Sequence, residues 1–458
     1  MLPINSAIFK AYDIRGIYGQ DFDNEMAYLL GLAFIELRRK DPDYSPDKKL
    51  MIAVGADMRL SSPILKENLI RGLLAAGADV VDIGLVSTPT LYFAVGYYNY
   101  DGGIMVSASH NPKEWNGFKL VRAKGVPISG DTGIEFLKEK ILENHFLPVA
   151  IPGQASENHE VLKEEIAHAL KTANLTKIKP LKVIIDTANG MGATYIQELF
   201  KNLPTELIGL NFKLDGSFPA HEADPLKEEN LKQVQQAVIK QEADLGISID
   251  GDGDRIFFID NKGETISPAI IRGLLAKLFL IDKPGAKIGY DVRPGKITVD
   301  MIRDAGGIPT IARVGHSLIK EQMLKEDIYF AAESSGHFFL NDVNGCFEYP
   351  SIMILKLLTA FSTIGSSITN YIKPYKKYIH SGEINSTVKD KGVVFQKILT
   401  HYADGKINRL DGVSVEYPDY WFNVRGSNTE PTIRLNLEAI SSEVMGKKRD
   451  EVLNLIRE

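Results

Sequence analysis

Short apolar runs alternate with longer amphipathic stretches along most of the chain. Three segments each open with an apolar run that ends in an aspartate, at Asp57, Asp186 and Asp291, and each closes with a run that leads into a polar loop. Runs of this kind predict buried strands, and the stretches between them predict helices, for example over residues 24–39 and 63–76. The alternation of strand and helix predicts three related α/β domains with mixed, largely parallel sheets.

The pattern changes after about residue 375. Residues 380–388 and 412–417 predict antiparallel strands, and residues 392–402 and 441–457 predict helices, so we expect a smaller C-terminal α+β domain. A chain of 458 residues is too long for one core. The predicted domains are residues 1–152, 153–261, 262–374 and 375–458.

Two local expectations follow from these elements. Ser61 or Ser62 is expected to cap the helix over residues 63–76, because a hydroxyl can accept a hydrogen bond from the first turn. Ligands of α/β folds gather at the carboxyl ends of strands. The polar loops of the three α/β domains are therefore expected to surround one central cleft.

Composition narrows the classes of partner. The net charge of −6 argues against nucleic acid or an anionic membrane as a main partner, since both need basic surfaces. An anionic small substrate would need a local cationic pocket. The single Cys346 excludes an intrachain disulfide and suits a reducing compartment. The chain lacks an apolar run long enough to span a membrane and begins without a signal-peptide pattern, so we expect a cytoplasmic protein.

The stretch from Val106 to Pro112 carries the first candidate for chemistry. It reads Val-Ser-Ala-Ser-His-Asn-Pro and follows the end of a predicted strand, where Ser109 could present its hydroxyl to a cleft. The residues alone also suit a turn whose serine and asparagine side chains satisfy local backbone groups. Because no Gly-x-Ser-x-Gly sequence occurs in the chain, a serine hydrolase is disfavoured.

A second loop, from Asp250 to Arg255, alternates aspartate with glycine. Three clustered carboxylates repel one another unless a cation neutralises them, and oxygen ligands favour Mg²⁺ or Ca²⁺. The loop is not an EF-hand, since Arg255 and Asn261 occupy positions that need glycine and glutamate. A solvated acidic turn is the alternative interpretation.

A third loop begins at Arg425 and combines a guanidinium, two hydroxyls, an amide and several backbone N–H groups. Such a set can hold a phosphate, because the guanidinium binds two oxygens and the loop amides complete the contact. The phosphate-binding candidates are Arg425, Ser427, Asn428 and Thr429.

Together these motifs resemble the α-D-phosphohexomutases, most closely the bacterial phosphomannomutase/phosphoglucomutase members. Ser109 and its neighbours, followed by Asn-Gly-Phe-Lys ending at Lys119, are similar to the phosphoserine loop of that family. The loop from Glu333 to His337 resembles its sugar-recognition loop, although Ala332 stands where the family usually has glycine. The resemblance extends over nearly the whole chain.

The resemblance implies roles for individual residues. Phosphorylated Ser109 would donate its phosphoryl group, with Arg255 near that phosphate and Lys119, Arg15 and His316 as candidates for proton transfer. Without the resemblance, His316 would more often be a capping or structural histidine. The implied ligands of one Mg²⁺ are Asp250, Asp252, Asp254 and a phosphoserine oxygen of Ser109. The implied substrate-binding residues, besides the phosphate loop above, are Tyr12, Arg293, Glu333, Ser335 and His337.

The implied activity is the interconversion of hexose 6-phosphate and hexose 1-phosphate, of mannose, glucose or both. It would pass through a hexose 1,6-bisphosphate, which would also act as an activator. The expected partner is a small phosphosugar, with no nucleic acid or membrane, and the expected state is a monomer or weak homo-oligomer. Three alternatives remain: a phosphoglucosamine mutase, which Gly253 disfavours because that group tends to carry alanine there; a non-catalytic sugar-phosphate sensor; and a metal-dependent phosphatase.

Overall fold

The computed structural model describes residues 2–173, 178–426 and 432–458. The chain forms two compact units, which we describe separately. The first unit comprises Met1–Ile266 and Ser335–Ile368, and the second comprises Ser267–Ser334 and Thr369–Glu458.

The secondary structure follows the predicted alternation through most of the chain. In chain order the strands are β1 (Ile14–Ile17), β2 (Met51–Ala56), β3 (Asp79–Leu85), β4 (Gly102–Val106), β5 (Trp115–Arg122), β6 (Ala155–Glu157), β7 (Lys182–Asp186), β8 (Glu206–Leu210), β9 (Leu245–Ile249), β10 (Ile256–Asp260), β11 (Lys287–Asp291), β12 (Ile308–Ala312), β13 (Ile328–Ala332), β14 (Phe338–Asp342), β15 (Gly345–Glu348), β16 (Ile379–Thr387), β17 (Lys406–Asn408), β18 (Val413–Glu416), β19 (Tyr420–Gly426) and β20 (Thr432–Ala439). The α-helices are α1 (Asn24–Arg38), α2 (Ser62–Ala75), α3 (Thr88–Tyr97), α4 (Glu135–Glu143), α5 (Val161–Thr172), α6 (Gly192–Phe200), α7 (Glu228–Lys240), α8 (Pro268–Asp282), α9 (Lys296–Asp304), α10 (His316–Glu326), α11 (Pro350–Thr363), α12 (Ile368–Ile372), α13 (Lys391–His401) and α14 (Ser442–Arg457).

The first unit contains a six-stranded sheet in the order β1-β5-β4-β2-β3-β6. Strands β4, β2, β3 and β6 run parallel to one another. Strand β5 is antiparallel to β4, and β1 is antiparallel to β5. Helices α1 and α2 pack closely at Gly72. An ideal Cβ on this glycine would lie only 2.1 Å from the carbonyl oxygen of Tyr28, so a larger residue would not fit. The fully buried strand β4 leads directly into the Ser109 loop.

A four-stranded sheet, β10-β9-β7-β8, lies in the same unit. Strands β8, β7 and β9 run parallel, and β10 is antiparallel to β9. All residues of β9 and β10 are buried, and the loop between these two strands carries the three aspartates. The unit also includes the antiparallel hairpin β14–β15.

The second unit contains the parallel strands β12, β11 and β13 and a five-stranded antiparallel sheet, β16-β20-β19-β18-β17. The antiparallel sheet buries Phe422, Val424 and Leu435 in a core that also includes Ile398 of α13 and Ile456 of α14. These elements are the predicted C-terminal α+β fold.

The expected fold class, three α/β domains with mixed sheets followed by a smaller α+β domain, is confirmed. The domain boundaries at residues 152, 261 and 374 stay predictions, as does the central cleft. Strand β6, just after residue 152, pairs with β3 of the first sheet.

The expected serine cap of α2 is wrong. Ser61 occupies the N-cap position, but its side chain makes no capping hydrogen bond. Its Oγ accepts a hydrogen bond from Asn116 Nδ2, and Ser62 Oγ donates to Asp57 Oδ1. Both hydroxyls therefore form hydrogen bonds to other side chains and not to the backbone of the first helical turn.

Among the helices of the described ranges, no single one is long and apolar enough to cross a membrane.

Candidate active site

Ser109 lies just beyond the C-terminal end of β4 and is 2% exposed. Its φ of 52° is in the left-handed region, which is unfavourable for a residue with a Cβ and must be held by surrounding contacts. The backbone N–H of Ser109 donates to Ser107 Oγ at 2.9 Å. Its Oγ lies 3.1 Å from Asp250 Oδ2 and 3.1 Å from His110 Nδ1. The serine hydroxyl therefore faces a carboxylate and an imidazole.

The three aspartates of the β9–β10 loop are all buried. One carboxylate oxygen from each lies within 4.8 Å of the other two, close enough for them to share a cation. Asp250 Oδ1 accepts hydrogen bonds from the backbone N–H groups of Gly253, Asp254 and Arg255, each at 3.1 Å. Gly253 has a φ of 82°, so glycine suits this turn.

Asp252 Oδ1 is buried and has no hydrogen-bond partner among the described residues. A buried carboxylate oxygen without a donor is costly unless a cation satisfies it. Because the other ligand atoms are also carboxylate oxygens, the donor set fits a hard divalent cation such as Mg²⁺.

The Lys119 ammonium, on β5, partly balances this negative charge. Its Nζ lies 2.6 Å from Asp252 Oδ2 and 2.7 Å from Asp254 Oδ2. Burial by itself would lower the pKa of Lys119, but the two carboxylates raise it well above its usual value. The lysine is therefore held in its charged form.

The pKa values of Asp250 and Asp254 shift in opposite directions. Burial, followed by the charges of Asp254 and Asp252, raises the pKa of Asp250 well above its ordinary value. Burial would also raise the pKa of Asp254, but Lys119 and His337 outweigh it and lower that pKa well below the ordinary range. The raised pKa of Asp250 reflects burial first and the two neighbouring carboxylates second, and a divalent cation would offset the carboxylate contribution.

Thr88, the first residue of α3, also contacts the β9–β10 loop that carries the three aspartates. Its backbone N–H donates to the carbonyl oxygen of Asp252 at 3.0 Å, and its Oγ1 donates to Asp252 Oδ2. Thr88 stands in no distinctive motif of the sequence, because a Ser-Thr-Pro start is typical of any helix N-terminus.

Arg15, on β1, is fixed beside the Ser109 loop. It forms an ion pair with Asp13, and its Nη1 donates to Asn111 Oδ1 at 2.7 Å. Burial would lower the pKa of Arg15, but Asp13, Asp252 and Asp254 raise it. The arginine therefore contributes positive charge near the serine. Tyr12 is half-buried in the segment before β1.

Arg255 and His337 also contact the aspartates of the β9–β10 loop. Arg255 Nε is 3.9 Å from Asp250 Oδ2 and 3.4 Å from His337 Nε2. His337 Nε2 is 3.2 Å from Asp254 Oδ1, and its Nδ1 is 3.0 Å from Ser335 Oγ. Glu348, at the end of β15, forms a second possible metal-ligating group with Asp254 and His337 and was missed in the sequence.

In the second unit, Asp291 at the end of β11 organises a group of charged side chains. It accepts hydrogen bonds from Arg272 Nη1 at 3.1 Å, Arg293 Nε at 3.0 Å and the Ser334 N–H at 2.8 Å. Arg293 Nη2 lies 3.2 Å from Glu333 Oε1. Burial would lower the pKa of Arg293, but Asp291 and Glu333 raise it. Arg293 and Glu333 therefore hold each other in place.

The N-terminal end of α10 lies beside the Glu333 carboxylate in the same unit. The Gly315 N–H donates to the same Glu333 oxygen at 3.1 Å. His316 is the first residue of α10 and is half-buried.

Arg425, on β19, lies opposite Arg434 of β20. Arg425 Nη2 is 3.8 Å from Glu383 Oε2, and Arg434 Nη1 is 3.6 Å from Glu383 Oε1, so one carboxylate faces two guanidinium groups. Nε of each arginine is buried without a hydrogen-bond partner in the described part of the chain. Burial and then the charge of Arg293 lower the pKa of Arg425, as expected for an excess of positive charge. Ser427, Asn428 and Thr429 lie outside the described residues.

Comparison with known proteins gives the family. Residues 6–146, 163–263 and 267–378 match the alpha/beta/alpha domains I, II and III of phosphoglucomutase/phosphomannomutase, and residues 383–455 match its C-terminal domain. The chain belongs to the phosphoglucomutase/phosphomannomutase family.

Individual relatives agree with the family models over nearly full length. A phosphomannomutase of Vibrio cholerae is 39% identical over 461 residues, covering 98% of both chains. A phosphomannomutase of Methanocaldococcus jannaschii is 39% identical over 452 residues, covering 98% of this chain and 97% of the relative. The crystal structure of a phosphoglucomutase/phosphomannomutase family protein from Burkholderia thailandensis superposes with a TM-score of 0.88 at 32% identity, covering 99% and 97% of the two chains.

The expected family membership is therefore confirmed. The structure also brings part of the predicted site together within each unit. The first unit holds Arg15, Ser109, Lys119, Asp250, Asp252, Asp254, Arg255, Ser335 and His337. The second unit holds Arg293, His316, Glu333 and Arg425. The roles given to these residues stay predictions.

Proposed function

We propose that this chain is a phosphohexomutase that interconverts the 6-phosphate and 1-phosphate of mannose, glucose or both. The observation that carries the proposal is the position of the Ser109 hydroxyl, 3.1 Å from the first of three buried aspartates. Phosphoryl transfer depends mainly on positioning and on charge stabilisation. Arg15 contacts the Ser109 loop, and Lys119 and Arg255 lie beside the three aspartates, so positive charge is available for an anionic phosphoryl group.

In the proposed reaction Ser109 is phosphorylated. A free hydroxyl of the sugar phosphate attacks the phosphorus, the P–O bond to the serine oxygen breaks, and a new P–O bond to the sugar forms. The hydroxyl proton passes to a basic group, and the serine oxygen recovers a proton. The resulting 1,6-bisphosphate reverses its orientation and returns its other phosphoryl group to Ser109, which regenerates the phosphoenzyme and releases the isomer.

Asp250, Asp252 and Asp254 would hold one Mg²⁺, with a phosphate oxygen on Ser109 as a further ligand. The bound cation would supply charge neutralisation for the transferring phosphoryl group. The unpartnered Asp252 Oδ1 and the raised pKa of Asp250 support this assignment. Lys119, whose ammonium contacts two of the three carboxylates, would contribute a further positive charge.

Lys119, Arg15 and His316 are the proposed proton-transfer groups, without an assignment of acid and base. By resemblance to the family, Glu333 and Ser335 would bind hydroxyls of the sugar, and Tyr12, Arg293 and His337 would contact the substrate. Arg425 with Ser427, Asn428 and Thr429 would bind the phosphate that is not reacting. The buried guanidinium Nε of Arg425 and its excess of neighbouring positive charge support an anion as its partner.

A hexose 1,6-bisphosphate is the proposed activator, since it can phosphorylate an empty serine. The proposed partner is a small phosphosugar, and the proposed setting is the cytoplasm, with a monomer or weak homo-oligomer as the working form.

The test is a coupled assay of the purified protein with mannose 1-phosphate, glucose 1-phosphate and glucosamine 1-phosphate in parallel, with Mg²⁺ and a trace of bisphosphate. We expect formation of the 6-phosphate from the mannose or glucose substrate. Turnover of the glucosamine substrate alone would indicate a phosphoglucosamine mutase instead. Release of inorganic phosphate would indicate a phosphatase, and binding without turnover would indicate a sensor.

A further inference from the structure

We propose that Arg59 is a positioning residue for phosphoryl transfer, which holds the backbone of the Ser109 loop in the shape that presents the serine hydroxyl. The inference rests on the proposed function, because the hydroxyl it positions is the proposed phosphoryl carrier. Arg59 lies just after β2, outside every motif that resembles the family's functional loops.

The Arg59 guanidinium donates to four carbonyl oxygens of one loop. Nη2 donates to the carbonyls of Ser109 at 2.8 Å and Asn111 at 2.6 Å. Nη1 donates to the carbonyls of Pro112 at 2.7 Å and Trp115 at 2.9 Å. One side chain thus closes the loop from the serine to the start of β5.

These bonds form away from water, since Arg59 is only 1% exposed. Charge-assisted hydrogen bonds in such surroundings are stronger and more directional than neutral bonds at the surface. The planar guanidinium presents its donors in a fixed fork, whereas a lysine ammonium is a compact charge with rotatable donors. Lysine can therefore satisfy only part of this set of carbonyls.

Asp57 orients the guanidinium. Its Oδ2 lies 3.3 Å from Arg59 Nε, and its Oδ1 accepts hydrogen bonds from the Arg59 N–H at 3.0 Å and from Ser62 Oγ at 2.6 Å. The carboxylate is fully buried, so the ion pair is fixed between β2 and α2. The C-terminal end of β2, an interior strand of the first sheet, therefore holds the arginine.

The loop between β8 and α7, which belongs to the second sheet of the first unit, also packs against Arg59. Arg59 Cζ lies 5.1 Å from the centroid of the Phe218 ring. An ideal Cβ on Gly216 would lie 2.6 Å from Arg59 Cα, so this loop approaches the Arg59 backbone closely. Arg59 is thus enclosed by the Ser109 loop on one side and by the loop that contains Phe218 on the other.

The hydrogen bonds from Arg59 stabilise the left-handed φ of Ser109, a conformation that a serine does not favour. The Arg59 bond to the Ser109 carbonyl fixes the peptide that follows the strained residue. Without the fork, the loop would relax and the hydroxyl would leave its place 3.1 Å from Asp250. Small displacements of a reacting group lower the rate of the chemical step more than they lower substrate binding.

The experiment compares Arg59→Lys with the wild type and with Arg38→Lys. Arg38 is a matched control because it is also 1% exposed, pairs with Asp41 and Asp43, and donates to the carbonyl of Asp101 in the same unit. We expect Arg59→Lys to lower kcat by about 100-fold with KM nearly unchanged. Hydrogen–deuterium exchange of peptides covering residues 109–116 should accelerate, while exchange in β7 and β9 should not. Arg38→Lys should leave kcat and the exchange of residues 109–116 at wild-type values.

The exchange measurement separates this inference from the proposed function. If the wild type does not turn over hexose phosphates, the proposed function is wrong, and the exchange of residues 109–116 still tests the loop contact. A folded Arg59→Lys protein with wild-type kcat and wild-type exchange overturns the inference. Should Arg59→Lys not fold, Asp57→Asn must show the same loss of kcat and faster loop exchange, and wild-type values for that variant would overturn the inference equally.

Discussion

The hydroxyl of Ser109 lies 3.1 Å from Oδ2 of Asp250, although 141 positions separate the two residues in the chain. The serine follows β4 of the six-stranded sheet, and the aspartate follows β9 of the four-stranded sheet. Both side chains are buried, so the contact fixes two strand ends against each other. It also places the proposed phosphoryl carrier directly beside the proposed metal ligands.

Replacing Ser109 by alanine should abolish sustained turnover and leave the fold intact, because only one hydroxyl is removed. Intact-mass measurement of freshly purified wild type should show a fraction heavier by about 80 Da, the mass of one phosphoryl group, which the variant should lack. Ser156→Ala, an exposed serine of β6, is the control and should keep both the activity and the heavier species. A Ser109→Ala protein with near wild-type rates in the presence of bisphosphate would rule out the covalent mechanism.

Replacing Asp252 by asparagine should weaken Mg²⁺ binding and lower activity together. The change removes one of three negative charges from a site where Asp252 Oδ1 has no hydrogen-bond donor in the described structure. Calorimetric titration of Mg²⁺ and steady-state rates over a range of Mg²⁺ concentrations measure the effect. Asp450→Asn, on the surface of α14, should change neither quantity. Full activity of the chelated wild type would mean that the three aspartates serve structure alone.

Replacing Arg425 by alanine should raise KM, and should lower kcat as well if holding the distant phosphate helps to reach the transition state. Loss of one charge-assisted contact corresponds to about 10- to 150-fold in kcat/KM. Phosphorylation of Ser109, followed by intact mass, should survive. Arg449→Ala, at a half-buried arginine of α14 that pairs with its neighbour Asp450, is the control. Unchanged kcat/KM with all three hexose phosphates would show that Arg425 does not bind the phosphate.

Glu165, on α5, should make stability depend on pH. It is buried, it accepts a hydrogen bond from Thr90 Oγ1 at 2.6 Å, and burial raises its pKa to about 7. The folded protein therefore binds this proton more tightly than the unfolded chain. The stabilisation is fully present below the unfolded pKa of roughly 4.3 and is lost as pH rises through about 7.

Glu165→Gln should remove that dependence, since a neutral amide replaces the carboxyl group. Denaturant unfolding of both proteins at pH 5.5 and 8 measures it, and the stability of the wild type relative to the variant should fall by roughly 1–3 kcal/mol between the two values. Equal changes in both proteins would contradict the assigned pKa of Glu165. Glu160→Gln, at the exposed residue that precedes α5, controls for the loss of a charge at this helix.

Local sequence patterns are sufficient to predict the order of the strands and helices. Apolar periodicity is a local property, so helices such as α1 and α13, predicted over residues 24–39 and 392–402, lie close to their predicted ends. The composition of the loops at Ser109 and Asp250 is also local, and it was sufficient to identify both as candidate sites. Strand β5, by contrast, was not predicted, because a motif with Asn116, Gly117 and Lys119 lacks the continuous apolar run of a buried strand.

The tertiary structure alone decided which distant side chains meet. Thr88 bonds to Asp252, Glu348 lies beside Asp254 and His337, and Arg59 donates to four carbonyls of the Ser109 loop, yet none of these residues stands in a distinctive motif. Ser61 and Ser62, at the start of α2, likewise bind Asn116 and Asp57 instead of capping the helix. The physical reason is that buried polar groups must find partners in space, and those partners are set by how strands and helices pack, which local sequence patterns do not encode.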